Sequence, residues 1–236
     1  MKIRNAVAFV TGANRGIGLA FTRELLARGV RKVYAGARDP STVKEARVEA
    51  IRLDVTKQDE IAAAAARAGD VSLLINNAGV AQWGGFLAAD SEEVARRMLE
   101  TNFFGVLRMS KAFAPVLAAN GGGALLNVLS IASWQNSGYI AAYAASKSAA
   151  WSLTNSLRYE LAGQNTQVLA LHMGFVDTDL VRTVDAPKST PEDIVKRALD
   201  ALESGLDEVL ADERTILLKQ GLTAPRPSYL PQAARS

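Results

Sequence analysis

The sequence predicts an α/β protein built on one doubly wound parallel sheet of about seven strands, with helices on both faces. Short apolar runs alternate with longer segments whose apolar residues recur at helical spacing. Runs such as 7–11 and 125–130 are apolar on consecutive residues, which is typical of strands that helices cover on both sides. The chain has 236 residues, 49% of them apolar and 22% charged, which fits one domain.

The predicted strands, in chain order, are 6–11, 32–37, 49–54, 73–76, 124–130, 167–172 and 208–211. The predicted helices are 17–28, 57–68, 91–119, 143–162 and 191–204. Gly29 suits the position after a helix, Ser91 begins an acidic first turn, and Pro191 suits the first helical position. Residues 1–222 are predicted to form the domain, and 223–236, with three prolines, a Pro-rich tail that is a surface arm or disordered.

Composition excludes several classes of function. The chain has no cysteine and one histidine, so we expect no disulfide, no cysteine nucleophile and no metal site. The net charge of +3 is spread without a long basic run, so we expect no nucleic-acid partner. Because no apolar stretch approaches about 18 residues, and the run 6–10 is too short for a signal sequence, we expect a cytoplasmic protein without a membrane partner.

A glycine-rich turn joins the first predicted strand to the first predicted helix. Gly12, Gly16 and Gly18 would let the backbone approach a pyrophosphate, which would face the N–H groups at the start of the helix. The neighbouring candidates for cofactor contact are Asn14, Arg15 and Ile17. The spacing is G-x-x-x-G-x-G, so a turn without a ligand is the alternative, which the strand–turn–helix context makes the weaker one.

The end of the second predicted strand indicates which nicotinamide cofactor is preferred. A site for NAD places a carboxylate there to bind the ribose diol, but this chain has Gly36, Ala37 and then Arg38. Arg38 and Arg15 together favour a 2′-phosphate through charge-assisted hydrogen bonds. We therefore predict NADP(H) over NAD(H), a preference that would weaken if Arg38 turned toward Asp39.

Tyr143 and Lys147 open a strong helical pattern, four residues apart and so on one helix face. A neighbouring cation favours the phenolate and would lower the pKa of Tyr143 toward a value useful for proton transfer. Most such pairs lie on a protein surface, so the residues around this pair determine whether it is interpreted as catalytic. Ser130 ends a predicted strand at the sheet edge where ligands bind, and Asn102 lies inside a predicted helix, where asparagine needs a partner.

Together these motifs resemble the short-chain dehydrogenase/reductase family. The resemblance covers 7–178 and rests on T-G-A-N-R-G-I-G at 11–18, N-N-A-G at 76–79, the Asn in T-N-F-F-G, Ser130, and Y-A-A-S-K at 143–147. The compact size is similar to the single-domain branch of that family. The resemblance implies a Rossmann-type fold and a nicotinamide-dependent oxidoreductase.

The resemblance also implies roles for individual residues. Tyr143 would be the general acid and base, Lys147 would lower its pKa and hold the nicotinamide ribose, Ser130 would bind the substrate carbonyl, and Asn102 would support a water relay. Asp54 and Val55 would touch the adenine. The other implied cofactor contacts are Asn76, Ala78 and Gly79 beside the adenosine and Gly174, Val176 and Thr178 near the nicotinamide.

The sequence departs from the family pattern at two places. Met173-Gly174 stands where relatives carry Pro-Gly, and the usual glycine-rich segment at the last strand is replaced by 208–212, which puts a C-terminal tetramer contact in doubt. His172 is interpreted as a buried, hydrogen-bonded strand residue rather than a catalyst. The helices 91–119 and 143–162 resemble the family's pairing helices, so we expect a homodimer or homotetramer.

Substrate specificity is expected in the loops 80–86, 131–142 and 175–188. Their candidate substrate contacts are Trp83, Trp134, Tyr139 and Phe175, which favour an apolar or aromatic ketone, aldehyde or alcohol. Packing in the core or at a subunit interface is an equal alternative for Trp83 and Trp134. The leading function is an NADPH-dependent carbonyl reductase. The alternatives are an NAD-dependent alcohol, steroid or sugar dehydrogenase and, less favoured, a non-catalytic dinucleotide-binding protein.

Overall fold

The fold was analysed in a computed structural model that describes residues 1–230. Its sheet has seven parallel strands in the order β3-β2-β1-β4-β5-β6-β7. The strands are β1 Val7–Thr11, β2 Lys32–Ala37, β3 Glu49–Arg52, β4 Leu73–Asn76, β5 Gly123–Val128, β6 Thr166–His172 and β7 Glu208–Leu210. The predicted doubly wound parallel sheet is therefore confirmed.

The helices are α1 Gly16–Ala27, α2 Gln58–Arg67, α3 Ser91–Leu99, α4 Val106–Ala119, α5 Ala141–Ala162, α6 Pro191–Glu203 and α7 Glu213–Gln220. Helices α1 and α6 pack together on one face of the sheet, and α2, α4 and α5 cover the other. The alternating side chains of β1 show both layers. Ala8 and Val10 belong to the core under α1 and α6, whereas Val7 and Phe9 belong to the core under α2 and α4.

The sheet places a crevice where the strand order reverses. β1 pairs with β2 on one side and with β4 on the other. The chain therefore adds β2 and β3 on one side of β1 and then crosses to add β4 on the other side. At their carboxyl ends, the Thr11 hydroxyl accepts hydrogen bonds from the backbone N–H groups of Asn77 and Ala78, both at 2.9 Å. In doubly wound sheets ligands bind at this point.

The helices differ from the predicted ones at two places. The predicted helix 91–119 is interrupted by a π-helical stretch, Glu100–Gly105, which separates α3 from α4. Such stretches insert an extra residue into the helical ladder and are frequent at functional sites. Helix α7 was not predicted, and its N-cap Asp212 accepts a hydrogen bond from the backbone N–H of Thr215 at 2.8 Å.

The described part of the predicted tail returns to the body of the protein. The Ser228 carbonyl accepts a hydrogen bond from Gln135 Nε2 at 3.0 Å, and its hydroxyl donates to the Leu218 carbonyl at 2.9 Å. Residues 231–236 lie outside the described residues, so the division into 1–222 and 223–236 stays a prediction. Within the described residues, no helix has the length and apolar character needed to cross a membrane.

Candidate active site

The glycine turn between β1 and α1 has a conformation and a packing that require glycine. Gly12 and Gly16 have φ of +66° and +52°, the left-handed region that side chains disfavour. A Cβ atom on Gly18 would lie 2.1 Å from the Gly12 carbonyl oxygen and 2.6 Å from Asn77 Nδ2. The turn is therefore drawn tightly onto the start of α1, whose free N–H groups face the crevice.

The adenosine end of the crevice carries the two arginines expected for a 2′-phosphate. Arg38 lines the crevice just after β2, and Arg15 lines it from the glycine turn. The Asp39 carboxylate accepts hydrogen bonds from the Ser41 N–H at 3.0 Å and the Ser41 hydroxyl at 2.7 Å. Asp39 is thus engaged by Ser41. Arg15 lies 3.5 Å from Asp179, in an exposed pair.

Tyr143, Lys147 and Ser130 line one wall of the same crevice. Tyr143 and Lys147 lie in the first turns of α5, and the Lys147 ammonium donates to the Val128 carbonyl at 2.9 Å. Burial raises the pKa of the Tyr143 phenol, and its hydrogen bond with the Ser130 side chain acts in the opposite direction. Burial lowers the pKa of Lys147 to about 8. The direction expected for Tyr143 from its cationic neighbour is therefore wrong for this structure, because burial dominates.

Asn102 lies in the π-helical stretch, buried directly behind this wall. Its Oδ1 accepts from the Val80 N–H at 2.9 Å, and its Nδ2 donates to the Val80 carbonyl and to the Ser146 hydroxyl, each at 2.9 Å. Asn102 therefore fixes the segment after β4 to α5, next to Lys147 in the chain. No part of its side chain lines the crevice, and its predicted role in a water relay stays a prediction.

The crevice has a volume of about 520 Å³ and runs from the glycine turn to the segments after β5 and β6. Most of the residues predicted from the sequence line it. They are Gly12, Asn14, Arg15, Gly16, Ile17, Arg38, Val55, Ala78, Gly79, Trp83, Ser130, Tyr143, Lys147, Gly174, Phe175, Val176 and Thr178. The structure thus brings most of the predicted cofactor residues and three of the four predicted catalytic residues, Ser130, Tyr143 and Lys147, into one site.

Three residues predicted to bind cofactor have side chains or positions away from the crevice lining. The Asn76 side chain is directed away from the crevice, and its Nδ2 donates to Asn127 Oδ1 at 2.9 Å. Asn77, the next residue, lines the crevice instead. The Asp54 carboxylate accepts from the Thr56 N–H and hydroxyl at 2.9 and 2.8 Å. Gly18 lies behind the turn and acts through packing.

Two predicted substrate contacts also lie outside the crevice lining. Trp134 packs on His172, with ring centroids 4.0 Å apart and an interplanar angle of 22°, which agrees with the packing alternative for this residue. The Tyr139 side chain is 76% exposed, and its backbone carbonyl accepts from the Gly84 N–H. Neither ring is placed to contact a substrate in this structure.

The crevice also has lining residues that the sequence analysis did not name as candidates for binding. Asn77 holds the glycine turn by donating to the Thr11 carbonyl at 2.9 Å. Gln135 lines the crevice after β5 and donates to the Ser228 carbonyl. Arg214, at the start of α7, lines the wall near Phe175, with its guanidinium 5.2 Å from the ring centroid. Asp212 at the N-cap position, with the acidic residue Glu213 in the first turn, could have revealed this helix.

The backbone at the Met173-Gly174 departure is bound by the N-cap residue of α7. The Gly174 N–H donates to Asp212 Oδ2 at 2.6 Å, and Asp212 Oδ1 accepts from the Thr215 N–H and hydroxyl at 2.8 and 2.9 Å. One carboxylate thus holds both the backbone after β6 and the first turn of α7. His172 is buried and its Nδ1 lies 3.2 Å from the Ser130 carbonyl oxygen, which confirms its interpretation as a hydrogen-bonded strand residue.

Comparison with known proteins identifies the family. The profile of the short chain dehydrogenase family matches residues 6–189. The 3-oxoacyl-[acyl-carrier-protein] reductase FabG of Escherichia coli strain K12 is 31% identical over 193 residues, which cover 78% of this chain and 79% of that protein. Galactitol 2-dehydrogenase (L-tagatose-forming) of Cereibacter sphaeroides is 34% identical over 190 residues, 76% of this chain and 74% of that protein.

A solved structure agrees with the family and with the predicted cofactor. A short chain dehydrogenase from Burkholderia cenocepacia J2315, in complex with NADP, is 42% identical and has a TM-score of 0.92 over 96% of both chains. The crevice, with its glycine turn and with Ser130, Tyr143 and Lys147 on one wall, agrees with this match. The chain belongs to the short-chain dehydrogenase/reductase family of oxidoreductases.

Proposed function

We propose that this oxidoreductase reduces an apolar or aromatic ketone or aldehyde to the alcohol, reversibly, with NADPH as the cofactor. The observation that carries the proposal is the wall formed by Ser130, Tyr143 and Lys147 in the crevice that also holds the glycine turn. A proton donor, a group that holds an oxygen, and a cation thus share one site, which is the requirement for carbonyl reduction.

The residues of the crevice fit NADP(H). Gly12 and Gly16 leave space for a pyrophosphate, because neither residue carries a Cβ atom and the turn adjoins the N-terminus of α1. Arg38 and Arg15 would hold the 2′-phosphate, and Gly174 and Thr178 would hold the carboxamide. When bound, NADPH supplies the hydride for the reduction.

The chain's own groups supply the proton and the polarisation of the carbonyl. The Ser130 hydroxyl, which lines the crevice together with Tyr143, would hold the substrate oxygen. Tyr143 is protonated at neutral pH because burial raises its pKa, so it can donate a proton to that oxygen. The Lys147 ammonium would stabilise the phenolate that remains, and in the reverse direction the phenolate would accept the proton.

The lining beyond the catalytic wall supports an apolar substrate. Trp83, Phe175, Leu180 and Val181 line this end of the crevice. Trp83 is 49% exposed, so it is available to a substrate in this chain. Apolar and aromatic linings with few polar groups favour substrates of the same character. The relatives include a 3-oxoacyl-[acyl-carrier-protein] reductase and a galactitol 2-dehydrogenase, and the apolar lining favours an activity similar to that of the reductase.

The proposal is tested by measuring NADPH consumption with a panel of aryl ketones. The wild-type enzyme is expected to turn over part of the panel, and Tyr143→Phe is expected to lower kcat by about 100- to 10,000-fold with unchanged affinity for NADPH. A matched control is Tyr229→Phe, which alters a tyrosine that is 49% exposed and does not line the crevice. Full activity in Tyr143→Phe would contradict the proposal.

Assembly into a homodimer or homotetramer is also proposed rather than observed. Phe104, 40% exposed, and Tyr159, 86% exposed, are aromatic residues on the two segments that resemble the pairing helices of the family. Light scattering after size-exclusion chromatography would give the mass of the assembly. A monomer over the working concentration range would contradict the proposal.

A further inference from the structure

The one histidine of the sequence touches the backbone of a residue in the catalytic wall. His172 is the last residue of β6 and is fully buried. Its Nδ1 lies 3.2 Å from the Ser130 carbonyl oxygen. The ring stacks on Trp134 at 4.0 Å between centroids. The imidazole is therefore fixed both by its ring face and by one ring nitrogen.

The chemistry of this contact determines which nitrogen carries the proton. Burial lowers the pKa of His172 to about 3, so the ring is neutral at neutral pH and has one N–H. The Ser130 carbonyl oxygen only accepts hydrogen bonds and lies within hydrogen-bond distance of Nδ1, whereas Nε2 has no hydrogen-bond partner among the described residues, so we assign the proton to Nδ1. The other nitrogen, Nε2, faces Glu208 Oε1 at 3.6 Å, and Glu208 is paired with Lys219.

Ser130 lies beyond the regular part of the sheet and depends on contacts of this kind. β5 ends at Val128, and Ser130 itself is extended, with φ −162° and ψ 160°. The Ile131 N–H donates to the Met173 carbonyl at 2.9 Å, and the Ser133 N–H donates to the Ser130 carbonyl at 3.0 Å. His172 supplies the second donor to that carbonyl, and it is the donor that comes from the neighbouring strand.

The Ser130 side chain is the group whose direction these contacts set. Its Oγ accepts from the Ala132 N–H at 3.1 Å, and the Ser130 side chain acts to lower the pKa of the Tyr143 phenol, which burial raises. Rotation of the peptide after Ser130 would move both the carbonyl and the turn that holds Oγ. Displacement of a catalytic group by about 1 Å can cost about 100-fold in rate.

We propose that His172 is a positioning residue: its Nδ1–H holds the Ser130 carbonyl to β6 and thereby directs the Ser130 hydroxyl toward Tyr143 and the substrate oxygen. This inference rests on the proposed function of Ser130. It assigns His172 no contact with the substrate or the cofactor.

The first test compares two variants of nearly equal size and shape. Asn in His172→Asn carries an amide N–H close to the position of Nδ1, whereas Leu in His172→Leu has no donor. Both lose the stacking on Trp134, so their losses of stability are expected to be similar. We expect His172→Asn to keep kcat within about threefold, and His172→Leu to lower kcat by about 10- to 100-fold, at unchanged affinity for NADPH. Equal values of kcat in the two folded variants would overturn the proposal.

A double-mutant cycle separates positioning of Ser130 from general loosening of the site. In a Ser130→Ala background there is no hydroxyl to direct, so His172→Leu is expected to cause less than about a twofold further loss in kcat. The same fold loss in both backgrounds would show that His172 acts elsewhere, and would also overturn the proposal.

A spectroscopic measurement keeps the proposal testable if His172→Leu does not fold. Because the sequence has one histidine, ¹⁵N-labelled histidine gives the two ring nitrogens of His172 alone. We expect a neutral ring protonated at Nδ1 throughout the range from about pH 5 to 8. Protonation at Nε2 would overturn the proposal. If no ketone were turned over, the proposed function would fail, while this spectrum would still decide whether His172 can hold Ser130.

Discussion

The Lys147 ammonium lies 5.8 Å from the centre of the Tyr143 ring, and both side chains rise from the same face of α5. The ammonium donates to the Val128 carbonyl at 2.9 Å, so it is bound between the helix and the end of β5. Burial raises the pKa of the phenol and lowers that of the ammonium. The phenol is therefore protonated at neutral pH, which is the state that the proposed reduction of a carbonyl requires.

The buried ammonium predicts a pH dependence of stability. The pKa of Lys147 is about 8 in the folded chain and has a reference value of 10.5. Between these values the unfolded state binds more protons, so the free energy of unfolding rises with pH. Relative to Lys147→Met, the wild type is expected to gain about 2 kcal/mol between pH 7 and pH 10. Urea unfolding at both pH values measures this difference.

The control for this prediction is Lys196→Met, which removes an exposed lysine paired with Asp200. It is expected to leave the pH dependence of the wild type unchanged. If Lys147→Met and the wild type changed in parallel from pH 7 to pH 10, the ammonium would not be destabilised by burial.

Arg38 is expected to determine the preference between the two nicotinamide cofactors. It lines the crevice, whereas the neighbouring Asp39 is bound to Ser41. Loss of a charge-assisted hydrogen bond to a phosphate costs about 1.5–3 kcal/mol. Arg38→Ala is therefore expected to weaken NADPH binding by about 10- to 100-fold and to leave NADH binding nearly unchanged. Fluorescence titration with both cofactors measures the two affinities.

Arg96→Ala is a matched control, because Arg96 is an exposed arginine on α3 paired with Glu92. It is expected to leave both affinities as in the wild type. An equal weakening of NADPH and NADH binding by Arg38→Ala would show that Arg38 binds a part common to both molecules.

The packing of the glycine turn predicts a large effect at Gly18. A Cβ atom there would lie 2.1 Å from the Gly12 carbonyl oxygen, and backbone must move to relieve that contact. Gly18→Ala is expected to lower the free energy of unfolding by about 3 kcal/mol and to weaken NADPH binding. Gly163→Ala is the control, since nothing lies within 4 Å of a Cβ atom at Gly163. Thermal and urea unfolding of the two variants should differ clearly, and similar stabilities would refute this reading of the turn.

Asn102 is expected to be essential to the wall around Lys147. Its three hydrogen bonds join Val80 to Ser146. Asn102→Leu is similar in shape but leaves the Val80 N–H without this acceptor. A buried unsatisfied group costs about 1–3 kcal/mol. We expect the variant to lose about 2 kcal/mol of stability and at least about tenfold in kcat. Normal kcat in a destabilised variant would limit Asn102 to a role in folding.

The sheet and the glycine turn could be predicted from the sequence because their signals are local. The buried strands are continuous apolar runs such as Val7–Thr11, and the turn is a short glycine-rich segment between a strand and a helix. Tyr143 and Lys147 could be placed on one face because they are four residues apart. In each case residues that are close together in the sequence determine the local structure.

The direction of the Asn76 side chain follows from the alternation of side chains along β4. In β4, Leu73 and Ile75 belong to the core under α1 and α6, and Leu74 belongs to the core on the other face. Alternation therefore turns Asn76 toward α4, where its Nδ2 lies 3.3 Å from the Ser110 hydroxyl. Asn77 follows the strand and so reaches the crevice.

Other parts of the site depend on contacts between segments that are distant in the sequence. Trp134 lies in a segment predicted to contact substrate, but its ring packs on His172, 38 positions later in the printed chain. The position of Asn102 in the π-helical stretch likewise depends on distant segments, because its side chain hydrogen-bonds Val80 and Ser146. No pattern within a single segment contains that information.

The Asp212 carboxylate joins the backbone at Gly174 to the first turn of α7, through hydrogen bonds of 2.6 Å to one and 2.8 Å to the other. Helix α7 and the crevice backbone at Gly174 are thus held together by one side chain, although almost 40 residues separate Gly174 from Asp212 in the chain. An outward shift of α7 would pull on the Gly174 amide, and the Arg214 guanidinium would leave the Phe175 ring in the same movement. Widening of the substrate entrance and loosening of the nicotinamide end should consequently occur together in this enzyme.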